Sequence, residues 1–149
     1  MYMIKVRLAR DIAGLYRRMN RRVDGMMSLH RPVLSPSANG WVPEADIIET
    51  EEELRIHVNL AGVSKEDIEV SYDETYLRVV GTRFPDLPSG SAARYHQMEM
   101  GSGSFERIFS MPTRIDPERI EACFVDGLLT IRLGKPGRAK APRHVVVHD

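Results

Sequence analysis

The chain has 149 residues, of which 28% are charged and 42% hydrophobic, and its 21 basic and 21 acidic side chains give a formal net charge of zero. That length suits one domain with extensions, and the single cysteine, Cys123, excludes an intramolecular disulfide framework and a cysteine-based zinc finger. No apolar stretch approaches the ~20 residues that span a membrane, and the basic start lacks the apolar run of a signal peptide, so we expect a cytoplasmic protein.

The charges are distributed unevenly along the chain. Residues 1–40 carry eight basic and two acidic side chains, residues 41–133 carry nine and eighteen, and residues 134–149 carry four and one. Basic arms can bind nucleic acid, but here an acidic centre offers them a partner within the chain or its copies. We therefore expect an N-terminal arm and linker, a central domain and a C-terminal extension with these three boundaries, and no nucleic-acid partner.

The N-terminal arm has apolar residues at helical spacing. Residues 2–29 contain no proline, and steps of three or four residues place on one helical stripe Ile4, Leu8, Ile12, Leu15, Met19, Val23 and Met26. Five of the eight methionines fall in the first 27 residues, which gives the arm an adaptable apolar surface. The alternatives are a helix that packs permanently on the domain core and a helix that lies on a membrane surface.

After a linker over residues 30–43, rich in proline, serine and glycine, the pattern changes to short alternating segments. Such alternation predicts half-buried strands. The predicted strands are 46–49, 54–60, 68–72, 77–83, 94–98, 104–111, 120–124 and 129–133. Because turns separate them and no helical pattern lies between them, the fold class is an all-β sandwich, whose strand order alternation alone cannot decide.

The last two predicted strands flank Asp126-Gly127. Asp-Gly between alternating apolar runs is a strong hairpin signal, because both residues tolerate a positive φ. On the second strand Leu129, Ile131 and Leu133 share one face. A hairpin alone is marginal in water, so other strands must cover that face.

The sequence shows no pattern typical of catalysis or metal binding. It lacks a phosphate-binding glycine loop, a nucleophile elbow and a His/Cys metal cluster. His144 and His148 are four residues apart, but a proline-flanked extended tail would not place them on one helical face. We therefore expect a protein that is not an enzyme and needs no cofactor or metal.

An arginine lies within the apolar row of the strand predicted over residues 104–111. Alternation places on one face Phe105, Arg107, Phe109 and Met111. A buried guanidinium without a partner is very costly, so Arg107 must reach a carboxylate or the surface. Two interpretations remain open: extension to solvent at a sheet edge, or an ion pair across a subunit interface. The candidate partners for the ion pair are Asp86 and Glu99.

The C-terminal tail ends in a short β-type segment, Arg143–Val147, beyond a Gly/Pro/Lys-rich stretch. In an extended chain Val145 and Val147 point the same way, which favours strand addition into an apolar groove. The alternative is a last strand that docks on its own domain.

These features together resemble the small heat-shock proteins, the α-crystallin-domain chaperones. The resemblance covers residues 41–147 and is carried by Trp41-Val42-Pro43, Asp46-Ile47, Leu60-Ala61-Gly62-Val63, Asp67-Ile68, Leu77–Gly81, the row with Arg107, Ala122…Gly127-Leu128-Leu129 and Val145-Val146-Val147. Ala61 stands where the family commonly has proline, which loosens that turn. Valines in place of isoleucines in the tail motif bury less area.

The resemblance implies an immunoglobulin-like antiparallel sandwich that dimerises and assembles into larger oligomers. In bacterial and plant relatives a short strand in the long loop is exchanged between subunits, and Arg94–Met98 occupies that position. The implied dimer interface comprises Arg107, Arg94, Tyr95, His96, Gln97, Met98 and Glu99. The C-terminal motif, Val145 and Val147, is expected to dock on a neighbouring dimer between residues 67–72 and 119–124. The expected groove residues are Ile68, Val70, Ile120, Ala122 and Phe124.

The family binds unfolding proteins without ATP, so the resemblance implies a holdase that suppresses the aggregation of client proteins. The residues expected to contact clients are Leu8, Ile12, Leu15, Met19 and Val23. Two other functions remain open. One is a co-chaperone-like sandwich module with a single defined partner, and the other is a stress protein attached to a membrane surface.

Overall fold

The computed structural model describes residues 2–23, 40–90 and 92–137, and over these residues the chain forms a two-layer β-sandwich with one α-helix and two short 3-10 helices, Lys65–Asp67 and Pro117–Arg119. The elements in chain order are β1 (Tyr2–Ile4), β2 (Val6–Leu8), α1 (Ile12–Val23), β3 (Ala45–Glu49), β4 (Glu53–Asn59), β5 (Ile68–Asp73), β6 (Tyr76–Arg83), β7 (Gly103–Ser110), β8 (Ile120–Val125) and β9 (Leu128–Gly134). The all-β sandwich predicted from alternation is therefore confirmed.

One sheet has the strand order β1-β8-β9-β4-β3 and the other has the order β2-β5-β6-β7. All strand pairs are antiparallel except β2 with β5, which is parallel. The first two strands therefore lie in different sheets, although only Lys5 separates them in the chain. Residues 2–8 cross from one layer of the sandwich to the other.

The core lies between the two sheets and follows from the period-2 alternation. On β4, Leu54, Ile56 and Val58 are fully buried. Each is paired directly across the sheet with an equally buried residue of β9: in the same order, Leu133, Ile131 and Leu129. The second sheet contributes Val70, Tyr72, Leu77, Val79, Phe105 and Phe109. Full burial of each such aliphatic side chain contributes about 1.5–3 kcal/mol, so the two layers are held together mainly by apolar area.

The hairpin between β8 and β9 turns at Asp126-Gly127 as predicted, with φ values of 49° and 81°. Gly127 also lies against the turn that follows β4: its carbonyl accepts a hydrogen bond from the Leu60 amide at 2.7 Å. A Cβ at residue 127 would lie 2.7 Å from the Ala61 Cα. Glycine is therefore required here for both backbone conformation and space.

Two predicted elements are wrong. Residues 2–8 form two strands rather than the start of a helix, since the backbone groups of this segment find partners on β8 and β5. Within one subunit Arg94–Met98 is not a strand, because no described strand pairs with it; its expected exchange with a partner subunit stays a prediction. The helix is confirmed over Ile12–Val23, whereas most of the linker and residues 138–149 lie outside the described residues.

Candidate interaction surfaces

The predicted groove walls lie on β5 and β8, which face each other across one open side of the sandwich. Four of the five predicted groove residues are buried and the fifth is half-buried. They are Ile68, Val70, Ala122 and Phe124, and the half-buried Ile120. The structure therefore brings the predicted groove residues into one hydrophobic core cluster, from β5 in one sheet and β8 in the other.

Residues 2–8 occupy this groove, and we call them the N-terminal strap. On the β8 side, Tyr2 pairs with Phe124 and Ile4 with Ala122. On the β5 side, Val6 pairs with Val70, Arg7 with Ser71 and Leu8 with Tyr72. Ile4 and Val6 are both half-buried against the core. The strap therefore pairs with both groove strands through its backbone and places two apolar side chains, two residues apart, on the core.

Further contacts hold the strap, and most of them are exposed. Arg7 Nη1 lies 3.5 Å from Glu69 Oε1, and the Lys65 ammonium lies 4.0 Å from the centre of the Tyr2 ring. Exposed ion pairs of this kind contribute about 0–1 kcal/mol, and half-burial of an Ile or Val contributes roughly 1 kcal/mol. Ordering each backbone residue costs about 1–2 kcal/mol. The exposed contacts therefore add little to the binding of the strap, which depends mainly on its backbone pairing with β8 and β5 and on the contacts of Ile4 and Val6 with the core.

Tyr72 lies at one end of the groove, where it pairs with Leu8, the last residue of the strap. Its ring is buried and its hydroxyl donates to the Glu74 carbonyl oxygen at 3.0 Å. Burial raises the pKa of the Tyr72 hydroxyl above its ordinary value, and the carboxylates of Glu74 and Asp73 raise it further. The Tyr72 hydroxyl therefore stays neutral at physiological pH, and the buried ring contributes apolar surface to the core at this end of the groove.

Helix α1 follows the strap and is anchored at its N-terminus. The Gly14 amide donates to Asp11 Oδ1 at 3.1 Å, which makes Asp11 the helix cap. The Ala13 amide donates to Asp73 Oδ2 at 2.9 Å, and the other oxygen of that carboxylate accepts from the Tyr76 amide at 3.0 Å. One carboxylate thus joins the start of the helix to the β5–β6 turn.

The five residues predicted to bind clients do not share one exposed stripe. Leu8 is 69% exposed on β2, whereas Ile12 is only 4% exposed where the helix begins. Leu15 is half-buried. The side chains of Met19 and Val23 lie outside the described residues, although their backbone belongs to the helix. Strand formation over residues 2–8 separates Leu8 from the helical positions.

Arg107 lies on the inner face of β7, between the buried Phe105 and Phe109, and is half-buried. Its Nη1 donates to the Pro43 carbonyl oxygen at 2.5 Å, and its guanidinium carbon lies 5.0 Å from the Phe109 ring centre. A surface cleft beside the start of β3 includes Arg107 together with Glu44 and other residues. Arg107 therefore reaches the edge of the sandwich, while its predicted ion pair with Asp86 or Glu99 stays a prediction.

The loop between β6 and β7 exposes several large apolar side chains. They are Phe84, Leu87, Tyr95, Met98 and Met100. β3 is the last strand of its sheet and exposes Ile47 and Ile48, each at 49%. Exposed apolar side chains on a loop and on a strand edge are typical of surfaces that a partner covers.

Contacts of Arg83 and Trp41 hold the two ends of this loop together. The Arg83 guanidinium stacks over the Trp41 ring at 3.6 Å, and its Nη1 donates to the Gly101 carbonyl oxygen at 2.8 Å. Trp41 Nε1 donates to the Gly103 carbonyl oxygen at 3.1 Å. Burial lowers the pKa of the Arg83 guanidinium, and its Nε has no hydrogen-bond partner among the described residues.

Within the described ranges, no group of three or more His, Cys, Asp or Glu side chains is placed to hold a metal ion. In the same part of the chain, no helix is both long and apolar enough to cross a membrane.

Comparison with known proteins agrees with this architecture. The model of the Hsp20/alpha crystallin family matches residues 46–148, which is more than half of the chain. The chain belongs to the Hsp20/alpha crystallin family. The family assignment agrees with the two-layer sandwich and supports a chaperone role.

Individual family members give the same result. "Small heat shock protein C4" of Rickettsia felis is 34% identical over 101 residues, which cover 68% of this chain and 61% of that protein. "Heat shock protein 16" of Schizosaccharomyces pombe is 29% identical over 138 residues, covering 92% of this chain and 87% of that one. The crystal structure of a small heat-shock protein from Xylella fastidiosa has a TM-score of 0.60 and 32% identity, covering 74% of this chain and 99% of that one.

The strap is the feature of this Hsp20 chain that the sequence pattern could have predicted but did not. Tyr2, Ile4, Val6 and Leu8 alternate with Lys5 and Arg7, which is typical of a strand with one apolar face. Ile4 and Leu8 also belong to the longer helical stripe, which predicts a helix over the same residues. Pairing with β5 and β8 decided between the two.

Proposed function

We propose that this Hsp20 chain is an ATP-independent holdase that binds unfolding proteins and suppresses their aggregation, and that it assembles from dimers into larger oligomers. The observation that carries the proposal is the family match over residues 46–148. A holdase acts by mass action, since binding an unfolded client withdraws it from aggregation. Such an activity needs apolar surface rather than a catalytic site.

The client surface that we propose is the apolar side of α1, with Leu15, Met19 and Val23 as its main residues. The helix is amphipathic, and its opposite side carries the exposed Arg17 and Arg18. Ile12 is buried where the helix begins, so it becomes available only when the start of the helix leaves the β5–β6 turn. Leu8 is exposed on the strap and adds to the same surface.

For the dimer, we propose that Arg94–Met98 of one subunit pairs with the outer edge of β3 in another. Because an extended segment requires a partner strand, its lack of strand structure in a single chain is compatible with exchange. The edge of β3 carries Asp46 and Glu49, and Arg94 and His96 offer complementary charge. Ile47 and Ile48 would be covered by the same contact.

Arg107 is proposed to support this interface from the neighbouring cleft. Its hydrogen bond to the Pro43 carbonyl fixes the segment that leads into β3. A carboxylate of the partner's long loop, at the position of Asp86 or Glu99, would add an ion pair. Because Arg107 is half-buried, its replacement should weaken dimerisation more than the loss of an exposed charge would.

For the larger oligomer, we propose that Val145 and Val147 dock in the β5–β8 groove of a neighbouring dimer. An extended segment with two β-branched side chains two residues apart matches the way in which Ile4 and Val6 lie there. The Xylella fastidiosa relative has "a distinct high order structure", which supports assembly in this family. The acidic domain and the basic extension favour the same contact.

The holdase proposal is tested by heating a thermolabile client enzyme without ATP and following light scattering. One variant replaces Leu15, Met19 and Val23 with serine. Its matched control replaces Arg17, Arg18 and Arg21, on the same helix, with serine. We expect the chain to suppress scattering, the apolar variant to lose most of that protection and the arginine control to keep it. Full protection by the apolar variant would show that clients bind elsewhere, and no protection by the parent chain would refute the holdase.

Assembly is tested by multi-angle light scattering of the full chain, whose subunit mass is 16.9 kDa. We expect masses well above that of a dimer, and a return to dimers when Val145 and Val147 are changed to alanine. Changing Val146 to alanine is the matched control, because its side chain points away from the other two in an extended segment. A stable monomer would contradict both the dimer and the oligomer, and would favour a module with a single partner.

A further inference from the structure

The chain carries two segments with the same pattern of apolar residues. Ile4-Lys5-Val6 at one end and Val145-Val146-Val147 at the other each place two β-branched side chains two residues apart. The first of these lies in the β5–β8 groove in the structure. The proposed function assigns the second to the same groove.

The strap pairs with both strands that form the groove. It pairs with β8 through residues 2–4 and with β5 through residues 6–8, and these pairings continue in a hydrogen bond from the Ala9 amide to the Tyr72 carbonyl oxygen at 2.7 Å. The edges of β5 and β8 are then engaged over this length. A second extended segment would have to take the same backbone groups and the same two apolar positions.

We infer that the N-terminal strap is the chain's own occupant of the groove and that it excludes the Val145–Val147 motif. The inference rests on the proposed docking of that motif. Assembly through the groove then requires the strap to leave first. A segment tethered to its own site acts at an effective concentration in the millimolar range, so it lowers the apparent affinity of any external segment.

Release of the strap is also coupled to the helix. Only a few residues join Leu8 to Ile12, and the start of α1 is held by the amide contacts of Ala9 with Tyr72 and of Ala13 with Asp73. When the strap detaches, the first of these contacts is lost and the helix remains attached by the Ala13 amide contact with Asp73 and by the buried Ile12. The same event thus opens the groove and loosens the surface proposed for clients.

The experiment uses the full chain with Val145→Ser and Val147→Ser, so that its own motif cannot fill the groove. In this background, one variant adds Ile4→Ser and Val6→Ser, which removes the strap's two core contacts. The matched control adds Met3→Ser and Lys5→Ser, which are exposed neighbours in the same segment. The probe is a fluorescent peptide of residues 141–149, whose binding is measured by anisotropy.

We expect the peptide to bind the Ile4/Val6 variant at least about tenfold more tightly than the background chain, and the control within about twofold. Equal affinity for background and Ile4/Val6 variant would overturn the exclusion while leaving the docking of the motif intact. No binding to any of the three chains would overturn the exclusion together with that docking. Neither result bears on client protection, which has its own assay.

Amide hydrogen exchange provides the second measurement. If the strap occupies the groove in the background chain, the amides of residues 68–73 and 120–125 exchange faster in the Ile4/Val6 variant than in the background chain. Added peptide then restores their protection. Unchanged protection of residues 53–59 and 128–134 verifies that the sandwich is folded. Should the serine variant unfold, Ile4→Ala with Val6→Ala is the milder replacement. Identical exchange of the groove strands in background and folded variant would overturn the proposal.

Discussion

The close approach of Gly127 to the turn after β4 makes a quantitative prediction for Gly127→Ala. Residue 127 has a φ of 81°, and an added Cβ would lie 2.7 Å from the Ala61 Cα. A left-handed conformation costs a non-glycine residue about 1–2 kcal/mol, and forcing an extra methyl into packed backbone costs about 1–3 kcal/mol. We therefore expect a loss of roughly 2–5 kcal/mol in the free energy of unfolding.

Two other glycines separate the two contributions. Gly90 has a φ of 79° with open space around its Cβ position, so Gly90→Ala measures the conformational cost alone. Gly137 has neither a positive φ nor a close neighbour, so Gly137→Ala should be neutral. The expected order of stability is Gly137→Ala, then Gly90→Ala, then Gly127→Ala.

The assay is urea unfolding followed by circular dichroism at one fixed protein concentration, because association adds to apparent stability. Thermal unfolding gives a second measurement: for a domain of about 100 residues, 1 kcal/mol corresponds to about 4–8 °C in Tm, so Gly127→Ala should lower Tm by roughly 8 °C or more. If Gly127→Ala and Gly90→Ala agreed within about 0.5 kcal/mol, the close approach to Ala61 would contribute nothing and the reasoning would be refuted.

Three further predictions concern single side chains. Hydrogen bonds from Arg55 and Arg132 lower the pKa of Glu53 in the folded state, so the ionised carboxylate stabilises the fold at neutral pH, and this stabilisation is lost as the pH falls through the lowered pKa. Urea unfolding should therefore show Glu53→Gln to be less stable than the parent chain at pH 7 and equally stable in acid. Asp73→Asn replaces one accepting oxygen with an NH2 group and should weaken the Ala13 amide contact by about 1–2 kcal/mol, seen as faster hydrogen exchange in residues 12–23; equal exchange would contradict the anchor. Gly81→Ala would place a Cβ 2.2 Å from the Asp67 carbonyl oxygen and should cost about 1–3 kcal/mol in denaturant unfolding; a neutral result would show that β6 and the turn before β5 lie further apart.

Local chemistry determined the elements of the sandwich. The alternation of Leu54, Ile56 and Val58 predicts β4 because a strand that faces a core on one side must repeat with period two. The hairpin at Asp126-Gly127 follows from the two residues that tolerate its backbone angles. Such features depend only on residues that are close together in the chain, so they can be predicted from the sequence alone.

The position of Arg107 was predictable only in part. Alternation placed it on the inner face with Phe105 and Phe109, and the structure agrees. The hydrogen bond to the Pro43 carbonyl was not predictable, because it joins residues 64 positions apart. The groove walls on β5 and β8 were expected from family resemblance rather than from periodicity.

The sequence by itself determined that this protein is a sandwich of short strands with a helix-forming arm, and it predicted one apolar C-terminal segment suited to strand addition. Tertiary structure decided what residues 2–8 become, because Ile4 and Leu8 fit a helical stripe while Ile4, Val6 and Leu8 fit the alternation of a strand. The unsatisfied backbone edges of β5 and β8 favour the strand, since pairing supplies hydrogen bonds that an isolated helix turn could not make to them. Only the tertiary structure, which brings two edges of two sheets to one groove, shows that the chain's own N-terminus lies there.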